Sequence, residues 1–338
     1  MAPPLIALEE HFFSSAVPPK LEESYSEQLK HVPGIYGKLR DLGTQRLQDM
    51  DAGMITLQVI SHAPGLGGDP TACRAANDQL ADAIAWSEKE GIHRLVGFAV
   101  APMAHPTEAA AELRRAIRKP GFLGALVDNH VDGKFFDGPE YDVFWEAAEE
   151  LDVPIYLHPN WPASADMAPG ARYSGSFSNA AALSMASSGL GWHTDTALHV
   201  LRLFASGLFD RRPKLKIIIG HMGETIPFML QRIQALSRRW GDFQRDFRTV
   251  YDENIWITTS GVWSLDPLRC ILANTKLDHI LYSVDYPFQT NEVGLGWITE
   301  LQSSGLVSKE QLDAIAYENA EKLLGIKIPA DSGAAAGS

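Results

Sequence analysis

The 338-residue chain predicts an α/β fold of eight parallel strands, and three observations carry that reading. Short apolar runs alternate with amphipathic helical stretches from one end to the other, the signature of repeated β-α units. Several runs are continuously apolar, as in Lys216-Ile217-Ile218-Ile219, which suits a parallel sheet covered on both faces. No internal repeat or linker-like break interrupts residues 1–328, a length that one closed eight-stranded barrel fills comfortably. An open doubly wound sheet is the alternative, and the lack of G-x-G-x-x-G after the first strand weighs against its dinucleotide-binding form.

The strand candidates, in order, are LIALEEHF, TLQVISH, LVGFAV, GFLGALVDNH, PIYLHPN, LKIIIGH, IWITTSG and ILYSVDYP. Between them, HPTEAAAELRRAI puts Ala109, Leu113 and Ile117 on one helical stripe, and PEYDVFWEAAEEL does the same with Val143, Phe144, Ala147 and Leu151. Pro106-Thr107-Glu108 and Asp137-Gly138-Pro139 are helix-start signals. Two long connections, residues 13–38 and 161–191, read as lids or interface arms inserted into the barrel. The small, polar residues 329–338 predict a disordered tail outside the fold.

Composition narrows the function classes. Hydrophobic residues make up 45% and charged residues 21%, ordinary for a globular protein. The net charge of −13 repels phosphate backbones and anionic lipid, so neither nucleic acid nor a membrane surface is an expected partner. An anionic substrate would then need a local positive site. No stretch approaches the roughly 20 apolar residues of a membrane span, and no basic n-region or long apolar core suggests a signal peptide. The two cysteines, Cys73 and Cys270, form no C-x-x-C pair, which favours a reducing, cytoplasmic setting.

The informative residues sit at strand ends. Strand one ends Glu9-x-His11, strand five at His158, strand six at His221 and strand eight at Asp285. In a (β/α) barrel the C-terminal strand ends form one catalytic mouth. Glu9 and His11, two residues apart, leave a strand on the same face. A divalent cation such as zinc, manganese or magnesium would hold two carboxylates and two imidazoles together and balance their charge. Each residue alone has a plainer explanation: a solvated strand end for Glu9 and His11, a helix cap for Asp285, a hydrogen-bonded histidine for the others. Four on four strand ends point to a metal site. Glu224, three residues after His221, is placed to hold that imidazole or to complement a helix N-terminus. Arg232 could reach the mouth or form a surface ion pair. His62, His130 and Asp128 also end strands, and Phe12, Trp161, Trp192, Tyr286 and Phe288 flank the mouth, suiting a flat apolar substrate. His31, His93, His105 and His279 read as surface residues, and His193 and His199 lie six apart on one helix.

The motifs LEEHF, GFLGALV, DVPIYLHP, ASGLFDRRPKLKIIIGHMGE, WITTSG and SVDYPF together resemble the amidohydrolase superfamily, from ALEEHF to ENAEKLLGI. The chain most resembles its ortho-hydroxybenzoate decarboxylase branch, the γ-resorcylate enzymes above all, which share the E-x-H pair of strand one. The resemblance implies an amidohydrolase-type (β/α)8 TIM barrel, with Glu9, His11, His158 and Asp285 as ligands of one divalent metal ion. The resemblance implies that His221 is the pocket histidine and Glu224 its partner; beside it, the residues themselves lead us to expect Asp285 as proton donor to the ring, and Phe288, Trp192, Arg232, His62 and Asp128 near the substrate. It implies reversible, non-oxidative decarboxylation without an organic cofactor, in a homo-oligomer that is a tetramer or dimer. Two departures bear on the ring substituents: Asp128 follows GALV, with Asn129 one place later than the family's usual Asn, and Gln289 stands where the family usually has Glu. The rivals are a hydrolase of a lactone or amide, a decarboxylase of a non-benzoate acid, and a non-catalytic metal-binding protein; Glu9, where hydrolytic members often carry His, disfavours the first.

Overall fold

In the computed structural model, which describes residues 2–25, 29, 32 and 34–328, eight parallel strands neighbour one another in sequence order. They are β1 (Leu5–Phe12), β2 (Ile55–His62), β3 (Leu95–Ala99), β4 (Phe122–Asp128), β5 (Pro154–His158), β6 (Lys216–Ile219), β7 (Ile255–Thr258) and β8 (Ile280–Leu281). The last strand is far shorter than the run ILYSVDYP suggests. Beyond Leu281 the regular ladder with β7 ends: Thr259 Oγ1 accepts from Ser283 N, and Tyr282 N donates to the backbone oxygen of Ile315 instead. The sheet closes where Glu10 and Tyr286 form a parallel bridge and His11 N donates to Tyr286 O at 2.6 Å.

Helices cover the outside, as the apolar stripes require. Ala109 and Leu113 are fully buried in the helix Pro106–Ile117. Phe144 and Ala147 are buried in the helix Asp142–Glu150, which a 3-10 turn at Pro139–Tyr141 precedes. The long connections carry structure of their own. Residues 13–38 include the helices Pro19–Ser24 and the start of Ile35–Arg40, and 161–191 include Ser164–Met167 and Asn179–Ala186. The tail 329–338 and His31 lie outside the described residues.

Two apolar layers sit either side of the sheet. Ile6, Leu8, Leu57, Phe98, Leu126, Tyr156, Ile218 and Leu281 pack inside the barrel, whose floor includes Leu323 and Leu324. Leu5, Ala7, Phe12 and Ile60 pack outward against the helices. Strict alternation from Ile6 and Leu8 would turn Glu10 inward and Glu9 and His11 outward. The strand does not alternate strictly: its register with β2 shifts between Ala7 and Glu10. Ser283 Oγ accepts from both Leu8 N (3.2 Å) and Glu9 N (2.7 Å) at that irregularity. The bulge re-aims the strand, so Glu9 and His11 join the inner face while Phe12 turns outward.

Glu10 consequently lies in the wall, fully buried, accepting from Val284 N at 3.0 Å and Tyr286 N at 3.2 Å. Burial pushes its carboxyl up to about 8. Beside it the buried Arg46 guanidinium donates to His11 O (2.6 Å), Asp41 O (2.9 Å) and Gln58 Oε1 (3.2 Å). Arg46→Leu strips those acceptors of their donor and should lower unfolding stability by about 3 kcal/mol. Urea denaturation measures this, and a loss below about 0.5 kcal/mol, the range of ordinary surface changes, would show that the guanidinium does not hold the β1 wall.

Candidate metal centre and active site

Glu9, His11, His158 and Asp285 converge at the C-terminal mouth, each offering one ligand atom, all within 4.8 Å of one another. His158 Nε2 lies 3.0 Å from Glu9 Oε1, and His11 Nε2 lies 3.4 Å from Asp285 Oδ1. Yet Glu9 Oε1 and both nitrogens of His11 are buried without a hydrogen-bond partner. The Nδ1 of His158 lies 2.7 Å from Pro159 O, so Nδ1 carries the hydrogen and a neutral ring turns a lone pair at Nε2 towards the carboxylate. Lone pairs set face to face need positive charge between them. A set of two imidazole nitrogens and two carboxylate oxygens fits zinc, manganese or a similar divalent ion.

The metal-free protein meets the same need with protons. Burial opposes ionisation of Glu9, but His221, His158 and His11 outweigh it and hold its carboxyl well below the usual range. Burial likewise disfavours charge on His158, and Glu9 outweighs it, raising that imidazole. His11 is pushed down by burial. A metal entering here therefore displaces protons.

A chain of hydroxyls fixes Glu9. Its Oε2 accepts from Tyr156 OH and from Ser260 Oγ (2.6 Å), while Tyr156 OH meets Thr258 Oγ1 at 2.7 Å. One oxygen is thus held and the other left for a ligand. A Cβ on Gly220 would stand 2.8 Å from Glu9 Oε2 and 2.9 Å from Tyr156 OH, so the cradle requires glycine there. Tyr156 and Ser260 were not singled out in the sequence. The signal was the two-residue spacing of Tyr156 from His158, which places both on one strand face.

After β6 the backbone runs left-handed through His221, Met222, Gly223, Glu224 and Thr225, with φ of 51°, 57°, 89°, 53° and 69°. Such a conformation costs about 1–2 kcal/mol per ordinary residue. It delays the helix to Ile226 and brings Glu224 Oε1 within 2.8 Å of His221 Nδ1. His221 Nε2 then faces Glu9 Oε1 at 3.7 Å. Burial opposes charge on both partners, but their mutual attraction dominates: His221 is raised to about 10, with help from Glu9, and Glu224 is lowered to about 2, with help from His193. Asp285 shares the left-handed conformation, at φ 73°.

Two cavities open on this cluster. His158, His221, Asp285, Trp161, Trp192 and Phe288 are among the residues lining the inner one. The outer, of about 500 Å3, shares His221, Asp285, Trp161, Trp192 and Phe288 and continues to Leu183, Val262 and Gln289. Trp192 and Phe288 thus line both cavities. His62, Asp128 and Arg232 line neither cavity. His62 Nε2 accepts from Ser14 N and its ring packs on Phe12. Asp128 accepts from Gly65 N and Gly67 N. Arg232 lies six residues into the post-β6 helix, about 9 Å along its axis, and is exposed. Among the histidines read as surface residues, His93 and His105 are exposed, but His279 is buried, stacked on Trp256 at 4.2 Å. Phe12 and Tyr286 are core residues.

Comparison with known proteins gives a consistent picture. The family described as Amidohydrolase matches residues 29–326. "Decarboxylase orsB" of Emericella nidulans is 55% identical over 96% of this chain and 98% of its own. A "Gamma-resorcylate decarboxylase" of Rhizobium sp. is 36% identical over 86% of this chain and 90% of its own. The crystal structure of a dihydroxybenzoic acid decarboxylase from Polaromonas sp., with bound manganese and the inhibitor 2-nitroresorcinol, superposes with a TM-score of 0.81 at 30% identity, covering 96% of this chain and 97% of that one.

Two outcomes follow. His158→Ala should abolish divalent-metal binding, and Gly220→Ala should weaken it about 10–100-fold through the Glu9 cradle; elemental analysis after dialysis against metal buffers reads both, and retention by His158→Ala would displace the site. In metal-free protein, Glu224 is depressed on folding, so its contribution is full above 4.5 and lost as pH falls through about 2. His221 is raised, so its contribution is full below 6.5 and lost as pH rises through about 10. The stability gap between the wild type and Glu224→Gln should therefore peak between pH 4.5 and 6.5 in denaturant titrations. A gap independent of pH would contradict the pairing.

Proposed function

The chain belongs to the amidohydrolase family, and from that premise we propose that it is a metal-dependent carboxy-lyase, catalysing the reversible, non-oxidative decarboxylation of an ortho-hydroxybenzoate. The observation that carries this reading is a two-carboxylate, two-imidazole cluster facing a cavity walled by Phe288, Trp161 and Trp192. Relatives named as decarboxylases at 55% and 36% identity support it.

Glu9, His11, His158 and Asp285 would hold one divalent ion, which would supply Lewis-acid stabilisation of negative charge on the substrate's oxygens. The aromatic wall holds the ring flat and excludes water. Asp285 transfers a proton to the ring carbon that bears the carboxylate, using a pair of ring electrons supported by the phenolic oxygen. The carbon–carbon bond then breaks, carbon dioxide leaves, and the bonding pair restores aromaticity. Asp285 borders both cavities with 18% of its side chain exposed, and solvent returns its proton. His221, held through Nδ1 by Glu224, turns Nε2 towards the substrate oxygens. The ring accepts the electrons itself, so no organic cofactor is required.

The setting is proposed to be cytoplasmic and the assembly a homodimer or homotetramer. Both cysteines are free, and among the described residues no helix is long and apolar enough to cross a membrane. Phe228, 83% exposed beside the exposed Met229, supports self-association and would be covered in an oligomer read by sedimentation.

Metal-replete protein incubated with 2,6-dihydroxybenzoate, 2,3-dihydroxybenzoate and salicylate should release carbon dioxide from at least one of them. No release from any ortho-hydroxybenzoate, these three and further ring-substituted ones included, overturns the reading. Asp285→Asn, in preparations that retain metal, should lower kcat by about 100- to 10,000-fold; near-native kcat would remove Asp285 from the proton-transfer role.

A further inference from the structure

One histidine outside the four-residue cluster is bonded to the His221–Glu224 pair beside it. The helix Gly191–Ala205 starts where the 161–191 connection ends, and its third residue is His193. His193 Nδ1 lies 2.7 Å from Glu224 Oε2, and its Nε2 lies 3.2 Å from Ser188 O. Glu224 Oε1, the opposite oxygen, is 2.8 Å from His221 Nδ1. The two imidazole rings stand 4.7 Å apart, centroid to centroid. Two rings therefore grip the two oxygens of one fully buried carboxylate.

We propose that His193 is a positioning residue for the His221–Glu224 pair. It acts on Glu224: with Oε2 clamped, the carboxylate cannot turn about its terminal torsion, which is otherwise broad, and Oε1 is presented to His221 Nδ1. That bond fixes the tautomer and the plane of His221, leaving Nε2 to face the cavity. The Ser188 carbonyl ties the clamp to the connection that walls the outer cavity, which His193 also lines. Both His193 nitrogens are engaged within the protein, Nδ1 by Glu224 Oε2 and Nε2 by Ser188 O, rather than turned towards a metal ion. His193, His221 and Glu224 lie as close together as metal ligands do, but this bonding makes them a relay of hydrogen bonds.

The inference rests on the decarboxylase reading for its kinetic consequence, and its test has an arm that needs no turnover. In zinc-loaded protein, proton NMR should show a downfield resonance from His221 Nδ1–H bonded to Glu224, kept in His193→Gln and lost in His193→Phe. With an ortho-hydroxybenzoate that the wild type consumes, His193→Phe should lose about 10- to 100-fold in kcat with KM and metal content near native. His193→Gln, whose amide can still donate to Glu224, should recover part of that loss. An unchanged resonance in His193→Phe, or kcat within about twofold of wild type, overturns the proposal. A wild type inert towards every ortho-hydroxybenzoate overturns the decarboxylase reading instead, while the resonance still decides the clamp.

Discussion

Glu9 Oε1 and His158 Nε2 stand 3.0 Å apart at the barrel mouth, with the unpartnered nitrogens of His11 close by and Asp285 opposite. Burying such a group without positive charge among its members would cost several kcal/mol per ion. The surrounding structure keeps that charge site open instead of relieving it. Tyr156 and Ser260 occupy only the far oxygen of Glu9, and Pro159 O takes only the far nitrogen of His158. The near atoms are left facing one another, and a cation or protons must lie between them.

Two departures from regular backbone make this arrangement possible. The irregularity in β1, held by Ser283, turns Glu9 and His11 inward where simple alternation would have offered Glu10. The left-handed run from His221 to Thr225 folds Glu224 back under the imidazole before the next helix begins. Each forgoes regular hydrogen bonding or favourable φ, and each is over-determined by packing: Glu10 is pinned by Val284 and Tyr286, and Met222 N is anchored to Thr258 O. Strain of this kind persists where the surroundings enforce it, characteristically at functional sites.

Much of this was legible in the sequence. Alternating apolar runs gave eight strands in order, and the polar residues ending β1 and β5 and following β6 and β8 marked the mouth. What stayed hidden depends on backbone detail that residue types do not encode. The inward turn of Glu9 looked like simple two-residue spacing but needs the bulge. Tyr156 and Ser260 read as ordinary strand residues because their role is hydrogen bonding to Glu9, across the barrel. His193 was passed over as one of a helical pair with His199, since its partner Glu224 lies 31 residues away. Asp128 and His62 do end strands, but Gly65, Gly67 and Ser14 claim their polar atoms. Arg232 sat too far along its helix to return to the mouth.

The central claim is that a single divalent ion belongs between Glu9, His11, His158 and Asp285. Crystals of metal-stripped protein soaked in manganese, with anomalous diffraction recorded near the manganese edge, test it directly. One anomalous peak within bonding distance of all four side chains is the expected result. A peak bound only by His193, His221 and Glu224, or no peak at any soaking concentration, would contradict the account.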